Sequence, residues 1–105
     1  MTPELEVTWD PLKAQTNRAK HGVTFAQAAT ALLDPFAITV FDAEHSAHEE
    51  RWFTLGLSQQ GALLAVAHTY RSTGSADARV RIISARAATR REREQYQNTQ
   101  RSVMP

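Results

Sequence analysis

Residues 51–70 read RWFTLGLSQQGALLAVAHTY, and this segment determines the class of fold. Two apolar runs, Arg51–Leu57 and Ala62–Tyr70, are joined by the short polar sequence Ser58-Gln59-Gln60-Gly61, which is typical of a hairpin turn. Strands joined by so short a connection must pair antiparallel, because parallel neighbours need a crossover of a dozen or more residues. The sequence therefore predicts an antiparallel sheet built around this hairpin.

Three more strands are predicted, two before the hairpin and one after it. Polar and apolar residues alternate from Glu4 to Trp9, which is the pattern of a short strand. Phe36–Phe41 is rich in β-branched and aromatic residues, and Arg79–Ala85 reads RVRIISA. The segment between Arg71 and Ala78 contains Ser-Thr-Gly-Ser and is predicted to be a flexible connection.

Capping signals place three helices around these strands. Asp10-Pro11 and Gly22 bound the first helix, predicted over Pro11–His21. A capping box at Thr24/Gln27 begins the second helix, which is predicted to run through Leu33. A second capping box, at Thr89/Glu92, begins the third helix, which is predicted to run through about Asn98. The order β-α-α-β-β-β-β-α predicts a single α+β domain over residues 1–98, with an antiparallel sheet and all helices on one face. Residues 99–105 are predicted to be a flexible tail.

The composition excludes several classes of protein. The chain of 105 residues is 42% hydrophobic and 22% charged, as expected for one globular domain. It contains no cysteine, which excludes disulfides, thiol catalysis and zinc–thiolate sites. The first residues do not resemble a signal peptide, and no apolar run approaches the ~20 residues that cross a bilayer. We therefore expect a soluble, cytoplasmic protein with no membrane association.

Charge is distributed unevenly along the chain. The net charge is +1, but residues 1–69 hold four bases and eight acids, whereas residues 70–105 hold eight arginines and three acids. Arginine without lysine favours bidentate contacts with phosphate or carboxylate. The C-terminal third therefore indicates a nucleic acid or an acidic protein as partner.

The strongest local pattern is His68-Thr69-Tyr70-Arg71 followed by arginines that alternate with apolar residues at Arg79, Arg81 and Arg86. Alternation on a strand places the guanidinium groups on one face of the sheet and the apolar groups on the other. Convergent arginines can stabilise the charge of a phosphorane transition state. An edge strand kept soluble by its charges would show the same pattern, so both interpretations stay open on the residues alone.

Two other segments contain candidate functional residues. Lys20 lies in the last turn of the first helix, where the helix dipole favours a cation and where its ammonium group could also meet a phosphate at the sheet edge. The polar segment 42–51 contains His45, His48 and Glu49, which a metal hydrolase could use. Their spacing matches neither H-E-x-x-H nor H-x-x-E-H, and we predict no metal site and no cofactor.

The motifs, taken in order, resemble those of BrnT-family toxins over residues 7 to 97. The matching residues are Trp9-Asp10-Pro11 with Lys13, Asn17, Lys20-His21-Gly22-Val23, Phe25, Ala28-Ala29, Glu50-Arg51, Gly56, His68-Thr69 with Arg71, Arg81-Ile82-Ile83-Ser84-Ala85-Arg86, Glu92 and Tyr96. The resemblance implies a RelE-like fold and a metal-independent ribonuclease toxin of a type II toxin–antitoxin system. It also implies a BrnA-type antitoxin as partner. The complex of the two proteins would repress its own operon, and the toxin would contact operator DNA only within that complex.

The same resemblance implies the residues of the active site. By motif, the family's activity-linked residues fall on four positions, namely Lys20, Glu50, Arg71 and Arg86. RNA supplies its own nucleophile, the 2′-hydroxyl, so the protein needs to orient it, accept its proton and stabilise the transition state. Glu50 or Lys20 could serve as the base, with Glu50 preferred over Glu49 as the active carboxylate, and Arg71 and Arg86 would hold the transition-state charge. His68 and His21 are candidates for the general acid. Arg81, His68 and Tyr96 are predicted to contact the substrate. The competing class is a non-catalytic module that binds RNA or an acidic protein.

Overall fold

The computed structural model describes the backbone of residues 4–103 and the side chains of residues 4–100. The elements are β1 (Leu5–Trp9), α1 (Pro11–His21), α2 (Phe25–Ala31), β2 (Ile38–Phe41), a 3₁₀ turn (Ala43–His45), β3 (Arg51–Leu57), β4 (Leu63–Thr69), β5 (Arg71–Ser72), β6 (Ala78–Ala87) and α3 (Arg90–Val103). The predicted bounds of α1 and β3 are confirmed, and the short strand β5 lies in the connection that was predicted to be flexible. Helix α3 continues past Asn98 into the predicted tail, of which residues 104 and 105 lie outside the described part.

The strands form one mixed sheet in the order β1-β6-β4-β3-β2, with β5 paired to β6. The pairs β2–β3, β3–β4 and β4–β6 are antiparallel, as predicted from the hairpin, but β1 pairs parallel to β6. The prediction of a purely antiparallel sheet was therefore wrong at this edge. A short connection determines the pairing only of strands that are adjacent in the chain, and β1 and β6 are far apart in it.

The helices lie on both faces of the sheet. Leu64 and Val66 of β4 pack with Phe25 and Ala28 against α1 and α2, whereas the alternate residues Leu63 and Ala65 of the same strand pack with Leu55 and Tyr96 of α3. The prediction that all helices share one face was thus wrong for α3. The physical reason is that five consecutive residues of β4, Leu63–Ala67, are apolar, so this strand needs cover on both sides. Among the described residues, no helix has the length and apolar character needed to cross a membrane.

A buried asparagine joins α1 to β6. Asn17 is 6% exposed, and its amide nitrogen donates to the carbonyl oxygens of Val23 at 3.0 Å and Ala85 at 2.8 Å. Its side-chain oxygen accepts from the backbone N–H of Ala85 at 3.0 Å. Close by, the pairing of β4 with β6 shifts between Ala67–Ser84 and His68–Ile82, so Ile83 is an extra residue in a β-bulge. Asn17 therefore satisfies backbone groups of β6 at a point that β1 does not reach.

We expect Asn17→Asp to destabilise the protein by about 2–4 kcal/mol, because a carboxylate cannot donate to the two buried carbonyl groups. Urea denaturation measures the change. The matched control is Gln15→Glu, which makes the same amide-to-acid change at an exposed position of α1. Equal unfolding midpoints for the two variants would contradict the role assigned to Asn17.

Candidate active site

The face of the sheet that carries α3 is only partly covered. Helix α3 packs over Leu55, Leu63 and Ala65. Beyond it, the same face carries Arg51, Thr69, Arg79, Arg81, Ser84 and Arg86, and we call this open part the arginine face. Val80 and Ile82 point the other way and are buried, as the alternation of arginine with apolar residues predicts.

A cleft of about 390 Å³ lies at one end of the arginine face, beside β5 and β6. Its lining consists of Thr8, Glu49, Glu50, Thr69, Tyr70, Arg71, Arg79 and Arg81. We call it the β5–β6 cleft. Three predicted site residues, Glu50, Arg71 and Arg81, thus lie together around one concave surface.

Some charged side chains of the β5–β6 cleft are already paired. Arg81 donates to Glu49 at 2.5 Å, and the same Glu49 oxygen lies 3.8 Å from the guanidinium of Arg51. Within the described part of the chain, the side chain of Glu50 accepts only a long hydrogen bond, from the indole N–H of Trp52 at 3.4 Å. Among the same residues, Arg71 has no ion pair. Glu50 and Arg71 are therefore the carboxylate and the cation of the cleft that no described residue neutralises.

Arg86 is held at the other end of the arginine face. Its two terminal nitrogens donate to the two oxygens of Glu92 at 2.7 and 3.0 Å, and its guanidinium carbon lies 5.4 Å from the ring centroid of Phe53. The hydrogen bonds from Arg86, together with one from the Thr89 N–H, lower the pKa of Glu92 to about 2 despite partial burial. Glu92 in turn raises the pKa of Arg86. Arg86 is thus a permanently charged and rigidly oriented cation.

Lys20 lies at a different cavity, of about 310 Å³, between α1 and the edge of β6. We call it the α1–β6 cavity, and Lys13 and Ser84 also line it. Ser84 belongs to the arginine face and is two residues from Arg86 along β6. Lys20 and Ser84 therefore line the same cavity at the edge of β6, and the catalytic role of Lys20 stays a prediction.

The predicted catalytic residues form two groups rather than one. Arg71 pairs opposite Arg79, which is seven residues from Arg86, so Arg71 and Arg86 are about 20 Å apart along β6. Glu50 and Arg71 lie at the β5–β6 cleft, whereas Arg86 and Lys20 lie near Ser84. While Arg86 stays bonded to Glu92 and lies over the ring of Phe53, the two groups are too far apart to contact the same phosphate group.

His68 and Tyr96 are placed in the packed interior. His68 is 4% exposed, and its ring nitrogens bond Thr54 Oγ1 at 2.7 Å and the Thr69 carbonyl at 2.9 Å. Burial lowers the pKa of His68. The hydroxyl of Tyr96 donates to Asp34 at 2.6 Å, and burial together with that carboxylate raises the pKa of Tyr96 to about 12. Neither side chain lines the β5–β6 cleft, and their contact with RNA stays a prediction.

The polar segment after β2 forms local contacts. His45 lies 2.9 Å from Asp42, three residues away, on the exposed surface. Within residues 4–100, no three histidine, aspartate or glutamate side chains come together in a way that could hold a metal ion.

The partners that orient the arginines were not predicted from the sequence. Glu92 was identified as a helix cap and as a motif residue, yet it also binds Arg86, six residues earlier. The signal was present, because a capping box directly after a strand brings its glutamate back toward the end of that strand. Glu49 and Phe53 were missed for a different reason, since their contacts with Arg81 and Arg86 depend on the sheet order.

Fold and site together define a small α+β protein with an open, arginine-rich sheet face suited to a polyanion. The family model of the ribonuclease toxin BrnT of type II toxin–antitoxin systems matches residues 9–92. The chain therefore belongs to the BrnT family of ribonuclease toxins, as the sequence motifs predicted.

A solved structure agrees with the family assignment. The chain is similar to the 1.1 Å crystal structure of the ribonuclease toxin BrnT from Brucella abortus, with a TM-score of 0.56 and 27% sequence identity. The match covers 82% of this chain and 99% of the Brucella chain. A search of curated protein sequences gives no significant match.

The Arg86–Glu92 pair makes stability depend on pH. Because the pKa of Glu92 falls from 4.5 to about 2 on folding, the charged carboxylate stabilises the fold above pH 4.5, and this stabilisation is lost as the pH falls toward 2. We expect Glu92→Gln to lower the free energy of unfolding near neutral pH and to differ less from the unmodified protein near pH 3.

Urea denaturation at the two pH values measures this difference, with Glu94→Gln as control. Glu94 lies on the same helix, is 62% exposed and pairs only loosely with Arg90, at 3.7 Å. A stability deficit of Glu92→Gln that is as large at pH 3 as at pH 6 would show that the ion pair is not its cause.

Proposed function

We propose that this chain is a metal-independent endoribonuclease in which the 2′-hydroxyl of RNA attacks the adjacent phosphate within the β5–β6 cleft. The observation that carries the proposal is that one cleft contains both a carboxylate, Glu50, and an arginine, Arg71. Neither forms an ion pair with another described residue. A base and a cation are what this reaction requires from the protein, because RNA brings its own nucleophile. Membership of a ribonuclease toxin family supports the choice of RNA as substrate.

In the proposed mechanism, Glu50 accepts the proton of the 2′-hydroxyl as its oxygen attacks phosphorus. Arg71 and Arg81 then bind the equatorial oxygens of the phosphorane, where negative charge accumulates. Glu49 contributes indirectly, because its bond to Arg81 fixes that guanidinium group at the cleft. The bond to the 5′-oxygen breaks, this oxygen takes up a proton from solvent water, and Glu50 returns its proton to solvent. The product carries a 2′,3′-cyclic phosphate and a free 5′-hydroxyl.

Arg86 and Lys20 have a different task in this proposal. Since Arg86 lies about 20 Å from Arg71 along β6, we assign to it and to Lys20 the phosphates that neighbour the scissile one. The strand would then lie along the arginine face, with its scissile phosphate at the β5–β6 cleft and its neighbouring phosphates near Ser84. Buried His68 and Tyr96 would act through the stability of the fold, because hydrogen bonds already engage their polar atoms.

The regulatory part of the proposal follows from the family. A type II toxin implies an antitoxin, and we propose a BrnA-type protein that covers the arginine face and so blocks RNA. The complex would repress its own operon, and the toxin would meet operator DNA only through that complex. A RelE-like mode of action belongs to the same proposal.

Two neighbouring glutamates provide a matched test of the mechanism. Glu50→Gln should lower kcat for RNA cleavage by about 10²-fold or more, because the base is lost. Glu49→Gln makes the same chemical change one residue away and should lower kcat by less than about 10-fold, because it only loosens Arg81. Cleavage of a fluorescent RNA, with circular dichroism as a control for folding, measures both effects.

Equal losses in the two glutamine variants would contradict the assignment of Glu50 as base. No cleavage of any RNA by the unmodified protein, together with RNA binding, would instead identify a non-catalytic binding module.

A further inference from the structure

The α1–β6 cavity contains more positive charge than the activity-linked motifs account for. Lys13, Thr16 and Lys20 occupy positions i, i+3 and i+7 of α1, and all three line the cavity. This spacing puts them on one side of the helix, facing the edge of β6. Two ammonium groups therefore border one concave surface, and only Lys20 belongs to the predicted site.

The cavity also differs from the arginine face in its counter-charges. Arg79, Arg81 and Arg86 each pair with a glutamate. The cavity lining contains no carboxylate, and within the described part of the chain neither Lys13 nor Lys20 forms an ion pair. An anion that enters here meets cations whose charge no neighbouring glutamate neutralises.

The position of the cavity connects it to the proposed path of RNA. Pairing of β1 with β6 ends at Trp9–Ile82, so Ile83 and Ser84 of β6 form an open sheet edge at the cavity. Ser84 also belongs to the arginine face, between Arg81 and Arg86. Lys13 and Lys20 are about 10 Å apart along the helix axis, so their side chains can hold different phosphates of one strand.

We propose that Lys13 forms a phosphate subsite of the α1–β6 cavity that holds the RNA backbone beyond the phosphate bound by Lys20. The path of the RNA strand toward this subsite rests on the proposed function. Binding at the subsite does not depend on cleavage, because it involves only the backbone of a single strand. It extends the RNA-binding surface from the sheet onto α1 and makes the protein favour RNA that continues past the cleaved nucleotide.

Binding of a short fluorescent single-stranded DNA tests the subsite without cleavage, since DNA lacks the 2′-hydroxyl. We expect Lys13→Ala to weaken binding about 3- to 10-fold at low salt and to reduce the slope of log K against log salt by about 0.7, the value for one lost phosphate contact on a single strand. Lys13→Arg should retain most of the affinity. With RNA, Lys13→Ala should raise KM more than it lowers kcat.

Arg18→Ala is the matched control. Arg18 lies on the same helix and carries the same charge, but it lines a different pocket, with Trp9 and Phe25. This variant should change affinity by less than about 2-fold, because only long-range charge is lost. An unchanged salt slope in Lys13→Ala, or an equal loss of affinity in Arg18→Ala, would overturn the subsite. If the unmodified protein cleaves no RNA, but Lys13→Ala still reduces the slope of log K against log salt for DNA binding, the proposed function is refuted and the subsite is supported.

Discussion

The hydrogen bonds of Asn17 with Val23 and Ala85 are the constraint on which the rest of the structure depends. The two bonds with Ala85 satisfy backbone groups of β6 where β1 has ended and the strand is bulged, so they replace the missing strand pairing. They also fix α1 against this edge. Because α1 carries Lys13 and Lys20, one buried amide determines where two cations lie relative to the arginine face.

The charges on the arginine face divide into paired and unpaired sets. Arg79, Arg81 and Arg86 are oriented by glutamates, and a cation fixed in this way loses less side-chain entropy when it binds phosphate. The groups without an ion pair among the described residues lie beside this face, with Glu50 and Arg71 at the β5–β6 cleft and the lysines at the α1–β6 cavity. This distribution of charge suits the proposed function, in which the arginine face holds a nucleic-acid strand along its length and the β5–β6 cleft cleaves it.

Local signals predicted most of the fold, whereas contacts between distant parts of the chain were not predictable. Asp10-Pro11 and Gly22 bounded α1 because capping depends on adjacent residues. The parallel pairing of β1 and the position of α3 on the opposite face depend on how the ends of the chain meet. The same limit applies to the site, since the motifs identified Arg71 and Arg86 but not their separation along β6.

The chemistry of the cleaved RNA ends tests the central claim most directly. Mass spectrometry of fragments produced in excess EDTA should show 2′,3′-cyclic phosphate ends, and a single 2′-deoxy substitution at the cleaved nucleotide should prevent cleavage there. Loss of cleavage in EDTA, or cleavage that persists beside the deoxy nucleotide, would show that a metal-bound water or another nucleophile attacks the phosphate and would contradict the account.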